Sequence, residues 1–167
     1  MKSVYLKLTN PDVNGESTDK DHAKWIEINA WRQLIKQPKS TSASTAGGHS
    51  AGRTEHEDME LVKDLDLASP MLYQAVSGGT TFESAQLDFY RDAGDGNRVK
   101  YLEIQMQNVF IASVESTNDG KELPAETIKL RYATIQWKYT KQNSDGSRGG
   151  VTQGAWSLTR NDKSFAV

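Results

Sequence analysis

Side chains that could bind a metal or transfer a proton are few in this chain of 167 residues. The three histidines, His22, His49 and His56, do not form the pair spaced four residues apart that a zinc-binding helix carries. The run at 55–58, Glu-His-Glu-Asp, looks more like a metal cluster. In a strand, however, its two glutamates would point away from its histidine. We therefore interpret the run as a solvated acidic edge and predict no metal site.

Other catalytic motifs are also missing from the sequence. Gly94-Asp95-Gly96 has the composition of a hairpin turn, and the chain has neither a phosphate-binding loop nor a dinucleotide fingerprint. The absence of cysteine excludes disulfides, a thiol nucleophile and thiolate metal ligands. Acidic residues are plentiful, so a hydrolase with paired carboxylates stays open as a hypothesis, but no pair stands out. We predict no enzymatic activity and no cofactor.

Four tryptophans suggest an alternative function, because aromatic faces stack on sugars. They are Trp25, Trp31, Trp137 and Trp156. Three of them alternate with apolar or β-forming residues inside predicted strands, which favours a role as core or interface anchors. A monomeric β-sandwich module that binds carbohydrate through its tryptophans remains the alternative hypothesis.

The composition is typical of a soluble β-rich domain, with 36% hydrophobic and 25% charged residues and a net charge of −2. No basic stripe with interleaved aromatic residues is present, so we expect no nucleic-acid partner. No apolar run approaches the roughly 20 residues that span a bilayer, so we expect no membrane insertion. The chain starts with an alternating strand rather than a signal peptide, which predicts a cytoplasmic protein.

Apolar residues alternate with polar ones along most of the chain, which predicts seven to nine mostly antiparallel strands. The predicted strands cover Val4–Leu8, Trp25–Ile35, Met59–Leu65, Ala85–Phe89, Val99–Val114, Thr127–Lys141 and Val151–Leu158. One helix is predicted over Ser69–Gly79, with Ser69 as its N-cap, a glycine at its end and an apolar stripe that includes Met71. We expect one domain over residues 1–167, a mainly β, compact antiparallel barrel or two-sheet sandwich with a short flanking α-helix.

Two of the predicted strands change phase partway along. Apolar residues occupy one face up to Tyr132 and the other face from Ala133, and a similar change lies between Met106 and Val109. Because successive side chains alternate between faces, such a change means that both faces are buried in turn. Either a bulge or a neighbouring chain would explain this pattern.

The segment Pro38–Thr54 contains no large apolar residue and is rich in Ser, Thr, Ala and Gly. Such a composition cannot offset the entropy of ordering, so on its own the segment should be mobile. Structureless loops of this length are uncommon in compact domains and are often functional. We name it the arm, and leave open whether it is a free excursion or becomes ordered against a partner.

The sequence resembles the haemolysin-coregulated protein family, which forms the inner tube of type VI secretion systems. The N-terminal signature residues are Gly15, Glu16, Ser17, Asp19, His22 and Trp31, with Ile26-Glu27-Ile28 between them. The resemblance continues through Asp58–Lys63, Ser69-Pro70, Val99–Leu102 and Leu130–Tyr139 and spans essentially the whole chain. It implies a β-barrel that assembles into hexameric rings, which stack into a secreted tube.

This resemblance assigns a role to the arm and names the partners. The arm would contact the next ring through Lys39, Ser40, Thr41, Ser42, Gly47, Gly48, His49 and Arg53. Small effectors would travel in the lumen, and spike, sheath and baseplate proteins would be further partners. The protein would be cytoplasmic before firing and then reach the extracellular space or a target cell. The resemblance also favours a neighbouring chain as the cause of the phase changes.

One departure from the family pattern follows Trp31, where the chain continues Arg32-Gln33-Leu34. The resemblance implies that this strand lines the lumen of the ring. Because side chains alternate along a strand, Arg32 should point away from Trp31 and hence into that lumen. A hexamer would then present a ring of positive charge, which predicts a preference for effectors with acidic surfaces.

Overall fold

The structure is a computed structural model that describes residues 3–39, 52–93, 96–120 and 122–167. Its strands are β1 Val4–Thr9, β2 Ile26–Ile28, β3 Ala30–Arg32, β4 Ile35–Lys36, β5 Glu55–His56, β6 Met59–Asp64, β7 Thr81–Asp92, β8 Arg98–Thr117, β9 Ala125–Arg131, β10 Thr134–Gln142 and β11 Arg148–Ser157. Its helix, α1, covers Ser69–Gly78. Over these described residues the fold is therefore mainly β with antiparallel pairing and one helix, as predicted from the sequence.

The main sheet closes on itself to form a barrel. The order runs from β1 through β7, β8, β9 and β6 to β3, and β2 pairs with the other side of β1. Only Asn29 separates β2 from β3, and its backbone N–H donates to the carbonyl of Val62 in β6 (2.7 Å). The segment 26–32 thus pairs with β1 at its start and with β6 at its end, which joins the two edges of the sheet.

The prediction of one continuous strand over Trp25–Ile35 is wrong. The chain forms the three short strands β2, β3 and β4 there, because each pairs with a different partner. Ile26 and Ile28 point into the core, whereas Ala30 is exposed. The alternation in the sequence reports the inward face of β2 only.

Alternating apolar residues from all sides fill the barrel. Fully buried members include Leu6, Ile26, Leu61, Phe82, Leu87, Ile104 and Leu130. Each such side chain contributes roughly 1.5–3 kcal/mol when it leaves water, so these strands supply most of the driving force for folding. Strand β6 ends at Asp64, and Leu65, which was predicted to continue it, is exposed.

Helix α1 lies where the sequence predicts it, but its first turn differs. Ala68 occupies the N-cap position with no side-chain cap, so the prediction of Ser69 as the cap is wrong. Ser69 is instead buried and donates its hydroxyl to Glu126 Oε2 (2.7 Å). Gly79 ends the helix in the left-handed conformation (φ 65°), as expected. Met71, placed in the apolar stripe, is 50% exposed. Within the described ranges, no helix is long and apolar enough to span a membrane.

The two phase changes lie opposite each other in one long hairpin. Strand β8 pairs with β10 up to Gln107 and Thr134, and with β9 from Phe110 and Arg131 onward. Between these pairs, Asn108 has a left-handed backbone (φ 54°) and the N–H of Ala133 donates to the carbonyl of Gln107 (3.1 Å). Both strands therefore bend at the same level, where β9 joins β6 and β10 joins β11. This bend within one chain accounts for the phase changes without a neighbouring chain.

The bend leads to a stability prediction. A β-branched side chain is disfavoured at the backbone angles of Asn108, so Asn108→Val should lower the free energy of unfolding by about 1–2 kcal/mol. Asn108→Gly should change it by less than about 0.5 kcal/mol, because glycine adopts this conformation readily. Urea unfolding at a fixed protein concentration compares the variants. Equal midpoints for the valine and glycine variants would contradict the assignment of strain to this residue.

Candidate assembly surfaces

The signature residues gather in the loop between β1 and β2. The Gly15 N–H donates to the carbonyl of Lys24 (2.8 Å), and the Ser17 N–H donates to the carbonyl of Trp25 (3.1 Å). A Cβ atom on Gly15 would come within 2.5 Å of the Trp25 carbonyl oxygen, which belongs to the backbone and cannot move aside easily. The close crossing of the two ends of this loop therefore requires glycine at position 15.

His22 fastens this loop to the barrel. Its Nδ1 lies 3.0 Å from Asp19 Oδ1 and its Nε2 lies 3.0 Å from Asp88 Oδ2 on β7. The ring also stacks on Tyr5 of β1, with centroids 4.6 Å apart and an interplanar angle of 12°. His22 is only 3% exposed, so this arrangement holds structure together and offers no open face to a substrate.

Asp19 is the charged centre of the same loop. Burial acts to raise the pKa of Asp19, but hydrogen bonds from His22 and from the Asp21 N–H, together with the Arg98 guanidinium, lower it to about 2. Arg98 also donates to the hydroxyl of Tyr5 (2.9 Å) and lies over its ring, so the cation is held from two sides. The carboxylate therefore contributes to stability in its charged form.

The remaining two signature residues reach other parts of the barrel. The carboxylate of Glu16 accepts the backbone N–H of Leu67, just before α1 (3.1 Å). Trp31 packs its ring edge-on against Phe89 of β7, with centroids 5.3 Å apart, and remains 38% exposed. The signature residues thus join β1, β3, β7 and the start of α1.

A buried ion pair that the sequence analysis missed fixes α1 to the barrel. Lys63 Nζ lies 2.7 Å from Glu126 Oε2 and 2.7 Å from Asp66 Oδ1, and both Lys63 and Glu126 are fully buried. Burial acts to raise the pKa of Glu126, but hydrogen bonds from Lys63, Tyr73 and Ser69 lower it. The sequence did contain a signal for this pair, because Lys63 occupies one of the alternating positions of β6 that point into the barrel.

The base of the arm is the two-stranded sheet of β4 and β5. Lys36 Nζ lies 2.6 Å from Glu57 Oε1, and Arg32 Nη1 lies 3.6 Å from Glu57 Oε2. Arg32 is exposed, as the lumen hypothesis requires, but Glu57 offsets part of its charge. Among the predicted stacking residues, Lys39 and Arg53 are described and exposed. The others, Ser40, Thr41, Ser42, Gly47, Gly48 and His49, lie outside the described residues.

A groove of about 540 Å³ separates the arm base from β11. Its lining includes Ile35, His56, Trp137 and Trp156. Trp137 donates its Nε1–H to Gln33 Oε1 (3.0 Å), so the segment between β3 and β4 holds its ring in place. Trp137 and Trp156 are both partly buried and pack against the core of the protomer, which agrees with their interpretation as anchors.

Strand β11 presents an open edge. In the described part of the chain it pairs with β10 alone. Residues 149–157 carry no charge and no proline, and Val151 is 56% exposed. Charges, prolines and bulges are the usual protection of a free edge. The ladder to β10 is irregular at residues 149–150, but it is regular over Val151–Ser157, so this part of the edge is suited to pairing with another strand. Within the same described ranges, no group of three side chains could hold a metal ion.

Comparisons with known proteins agree on one family. A sequence model described as "Type VI secretion system effector, Hcp" matches residues 5–139. The chain is 36% identical over 160 residues to "Protein hcp1" of Pseudomonas aeruginosa, which covers 95% of this chain and 96% of that protein. It is 19% identical over 143 residues to the "Major exported protein" of the same species, with 81% of each chain covered.

Solved structures show the same fold. A type six secretion system protein superposes with a TM-score of 0.87 at 28% identity, covering 98% of this chain and 100% of the other. Hcp1 from Salmonella typhimurium superposes with a TM-score of 0.78 at 23% identity, covering 98% and 99%.

The low pKa of Asp19 predicts a pH dependence of stability. The pKa of the Asp19 carboxylate falls from 3.8 in the unfolded chain to about 2 in the folded protein. The carboxylate therefore stabilises the fold at pH values above 3.8, and this contribution is lost as the pH falls toward 2. Asp19→Asn should lower the free energy of unfolding by about 1–2 kcal/mol at pH 7, with less loss as the pH falls from about 5 to about 2. Urea unfolding at several pH values measures both. A constant difference between the two proteins over this range would contradict the assignment.

Proposed function

The chain belongs to the Hcp family of type VI secretion proteins, and from this premise we propose that it is a structural subunit of the secretion tube. Its copies form hexameric rings, the rings stack, and the protein acts without catalysis. The family match over most of the chain is the observation that carries this proposal. The open edge of β11 supports it, because a subunit of a ring needs a surface that accepts a neighbour.

A ring built from one kind of chain is closed by a heterologous contact, in which each protomer presents two different surfaces. The edge of β11, with exposed Val151, is suited to one of them. Closure of the barrel through residues 26–32 pairs the outer edges of β1 and β6 within the chain. Strand addition at β11 is therefore the lateral contact that we propose.

Effectors would bind in the lumen of this ring. Arg32 stays our proposed contact, and its surroundings include Glu57, Glu60, Lys129 and Arg131. Since this surface carries both signs of charge, the proposed preference for acidic effectors depends on Arg32 being repeated around the ring. Spike, sheath and baseplate proteins are the further proposed partners.

We also propose that the protein is cytoplasmic until the machine fires and is then released from the cell. The family is a type VI secretion family, and one relative carries the name "Major exported protein". A tube subunit pushed out by a contractile machine would leave the cell in its folded state.

A mass measurement tests the ring. The unmodified chain should give a particle of roughly six times 18.6 kDa by light scattering. Val151→Lys should shift the protein to smaller species without lowering protomer stability, because position 151 is exposed and a charge at a strand edge disfavours pairing.

Leu123→Lys is the matched control for this variant. Leu123 is 58% exposed in the turn between β8 and β9, away from the edge of β11, so the ring should persist. A stable monomer of the unmodified chain at high concentration would overturn the proposed function. A ring that tolerates Val151→Lys would overturn only the assignment of the lateral surface.

Removal of the arm tests its role in stacking. The Gly52 N–H donates to the carbonyl of Pro38 (3.0 Å), so the two ends of the arm lie side by side. Replacement of residues 41–50 by a short Gly-Ser link should therefore leave β4 and β5 intact. Rings should form with unchanged mass, while electron microscopy should show shorter stacks. Loss of the ring itself would show that the arm belongs to the lateral contact.

A further inference from the structure

A chain of hydrogen bonds joins the arm base to the barrel beside the groove. Trp137 of β10 donates its Nε1–H to Gln33 Oε1 (3.0 Å), and Gln33 Nε2 donates to the hydroxyl of Tyr132 (3.3 Å). The same hydroxyl lies 2.8 Å from Nδ1 of His56 in β5. The bonds therefore run from the barrel wall to the strand that follows the arm. We name these four side chains the latch.

The donors and acceptors of the latch fit together in only one direction. An indole N–H can only donate, so Gln33 must turn its oxygen to Trp137 and its amide nitrogen to Tyr132. The Tyr132 oxygen then accepts from Gln33, and its own proton points to Nδ1 of His56. Nδ1 can accept this proton only when it carries none of its own. The latch is therefore complete only with a neutral imidazole.

Side chains, and not strand pairing, attach the arm base to the barrel. Strands β4 and β5 pair with each other in a separate sheet of two strands. Besides the latch, Arg53 donates to the carbonyl of Leu158 (2.6 Å), and Glu57 lies 3.6 Å from Arg32 of β3. Water competes for both of these contacts because they are exposed. The latch is partly buried, so it is the contact on which the attachment most depends.

Charged groups face His56 from several elements. The cations that line the cavities on its two sides are Arg32 of β3, Lys129 and Arg131 of β9, and Lys163 of the C-terminal segment. The carboxylates beside it are Glu57, Asp58 and Glu60, and its neighbour Glu55 is in register with Lys36.

The carboxylates near His56 already have cationic partners. Lys36 lies 2.6 Å from Glu57, Arg131 lies 2.7 Å from Asp58, and Lys129 lies 3.9 Å from Glu60. Over the described residues no carboxylate forms an ion pair with His56. A positive charge on this imidazole would therefore add to the cations around it without a partner of its own.

Burial also opposes the charged form of His56. It lowers the pKa of His56 below the usual value of 6.5, so the imidazole is neutral in neutral solution. Burial raises the pKa of Tyr132 to about 12, so the phenol keeps its proton and cannot pair with an imidazolium as an anion. Tyr132 is only 5% exposed, and its hydroxyl proton loses its acceptor when Nδ1 is protonated. The latch thus stabilises the attachment above pH 6.5, and this contribution is lost as the pH falls below 6.5.

We propose that the latch is an acid-sensitive switch, which holds the arm base against the barrel at neutral pH and releases it in acid. Both ends of the arm enter this base, so release changes where the arm is presented. Tubes assembled at neutral pH should then come apart in acidic surroundings. This consequence rests on the proposed function, whereas the switch itself is a property of one protomer.

Hydrogen–deuterium exchange of the unmodified protein tests the switch. The readout is the protection of peptides that cover residues 33–37 and 52–58, where the Glu57 N–H donates to the carbonyl of Leu34 (3.0 Å). Protection, corrected for the intrinsic exchange rate, should fall roughly 3- to 10-fold between about pH 7.5 and about pH 5, the equivalent of one hydrogen bond. Peptides from β7 should keep their protection, which shows that the barrel stays folded.

Two variants of the latch separate titration from folding. His56→Asn places an oxygen near the position of Nδ1, which accepts the Tyr132 proton at any pH, so the acid response should disappear. Tyr132→Phe keeps the ring but removes the hydroxyl, so protection should be low at both pH values. His49→Asn removes the histidine of the arm and is the matched control, in which the acid response should persist. His22 is present in all of these proteins, so its titration cancels in the comparison.

Electron microscopy at the same two pH values tests the consequence for assembly. Unmodified tubes should shorten in acid, whereas His56→Asn tubes should keep their length. Equal protection of the unmodified arm base at both pH values would overturn the switch, and so would an acid response of His56→Asn as large as that of the unmodified protein. Unmodified tubes that keep their length in acid while the arm base loses protection would overturn its role in assembly. A monomeric unmodified chain would overturn the proposed function, and the exchange data would still decide the switch.

Discussion

Backbone pairing at both edges of the main sheet is the constraint on which the fold depends. An unpaired strand edge leaves donors and acceptors without partners, and a barrel removes this problem by joining its first strand to its last. Here a segment of seven residues makes the join, because β2 pairs with β1 and β3 pairs with β6 on either side of Asn29. The enclosed core follows from this closure, and β11 is left with an open edge because it pairs with β10 alone in the described residues.

Two polar clusters hold the surrounding loops to the closed barrel. The His22 cluster fixes the loop between β1 and β2, and the Lys63–Glu126 pair fixes α1. Buried charges gain little net stability when they are paired, but removing one partner leaves the other exposed to a large desolvation cost. These clusters therefore act mainly by allowing one arrangement of loop and helix. This arrangement also fixes where the exposed side chains of the loop and of α1 lie on the surface of the barrel.

Much of the fold could be predicted from alternation and turn chemistry, because both are local. The helix, the end at Gly79 and the inward faces of β1, β6 and β7 depend on neighbouring residues in the sequence. The division of residues 25–35 into three strands could not be predicted, since it depends on partners that lie far away in the chain. The same reason explains the phase changes. The sequence showed a phase change in each of the two strands. The bend that they share could not be predicted, because the neighbourhoods of Asn108 and Ala133 come together only in the folded hairpin. The resemblance to the family identified the signature residues, but only the structure showed which groups they contact.

The hydrogen bond between Gly52 and Pro38 has a consequence for the evolution of this protein. It fixes the two ends of the arm next to each other, so the barrel is insensitive to the number of residues between them. The entropy of closing such a loop grows only slowly with its length, at about 0.6 kcal/mol for each doubling. Insertions and deletions in the arm would thus be nearly neutral for folding. Natural selection can adjust arm length to a changing partner while the barrel sequence stays as it is.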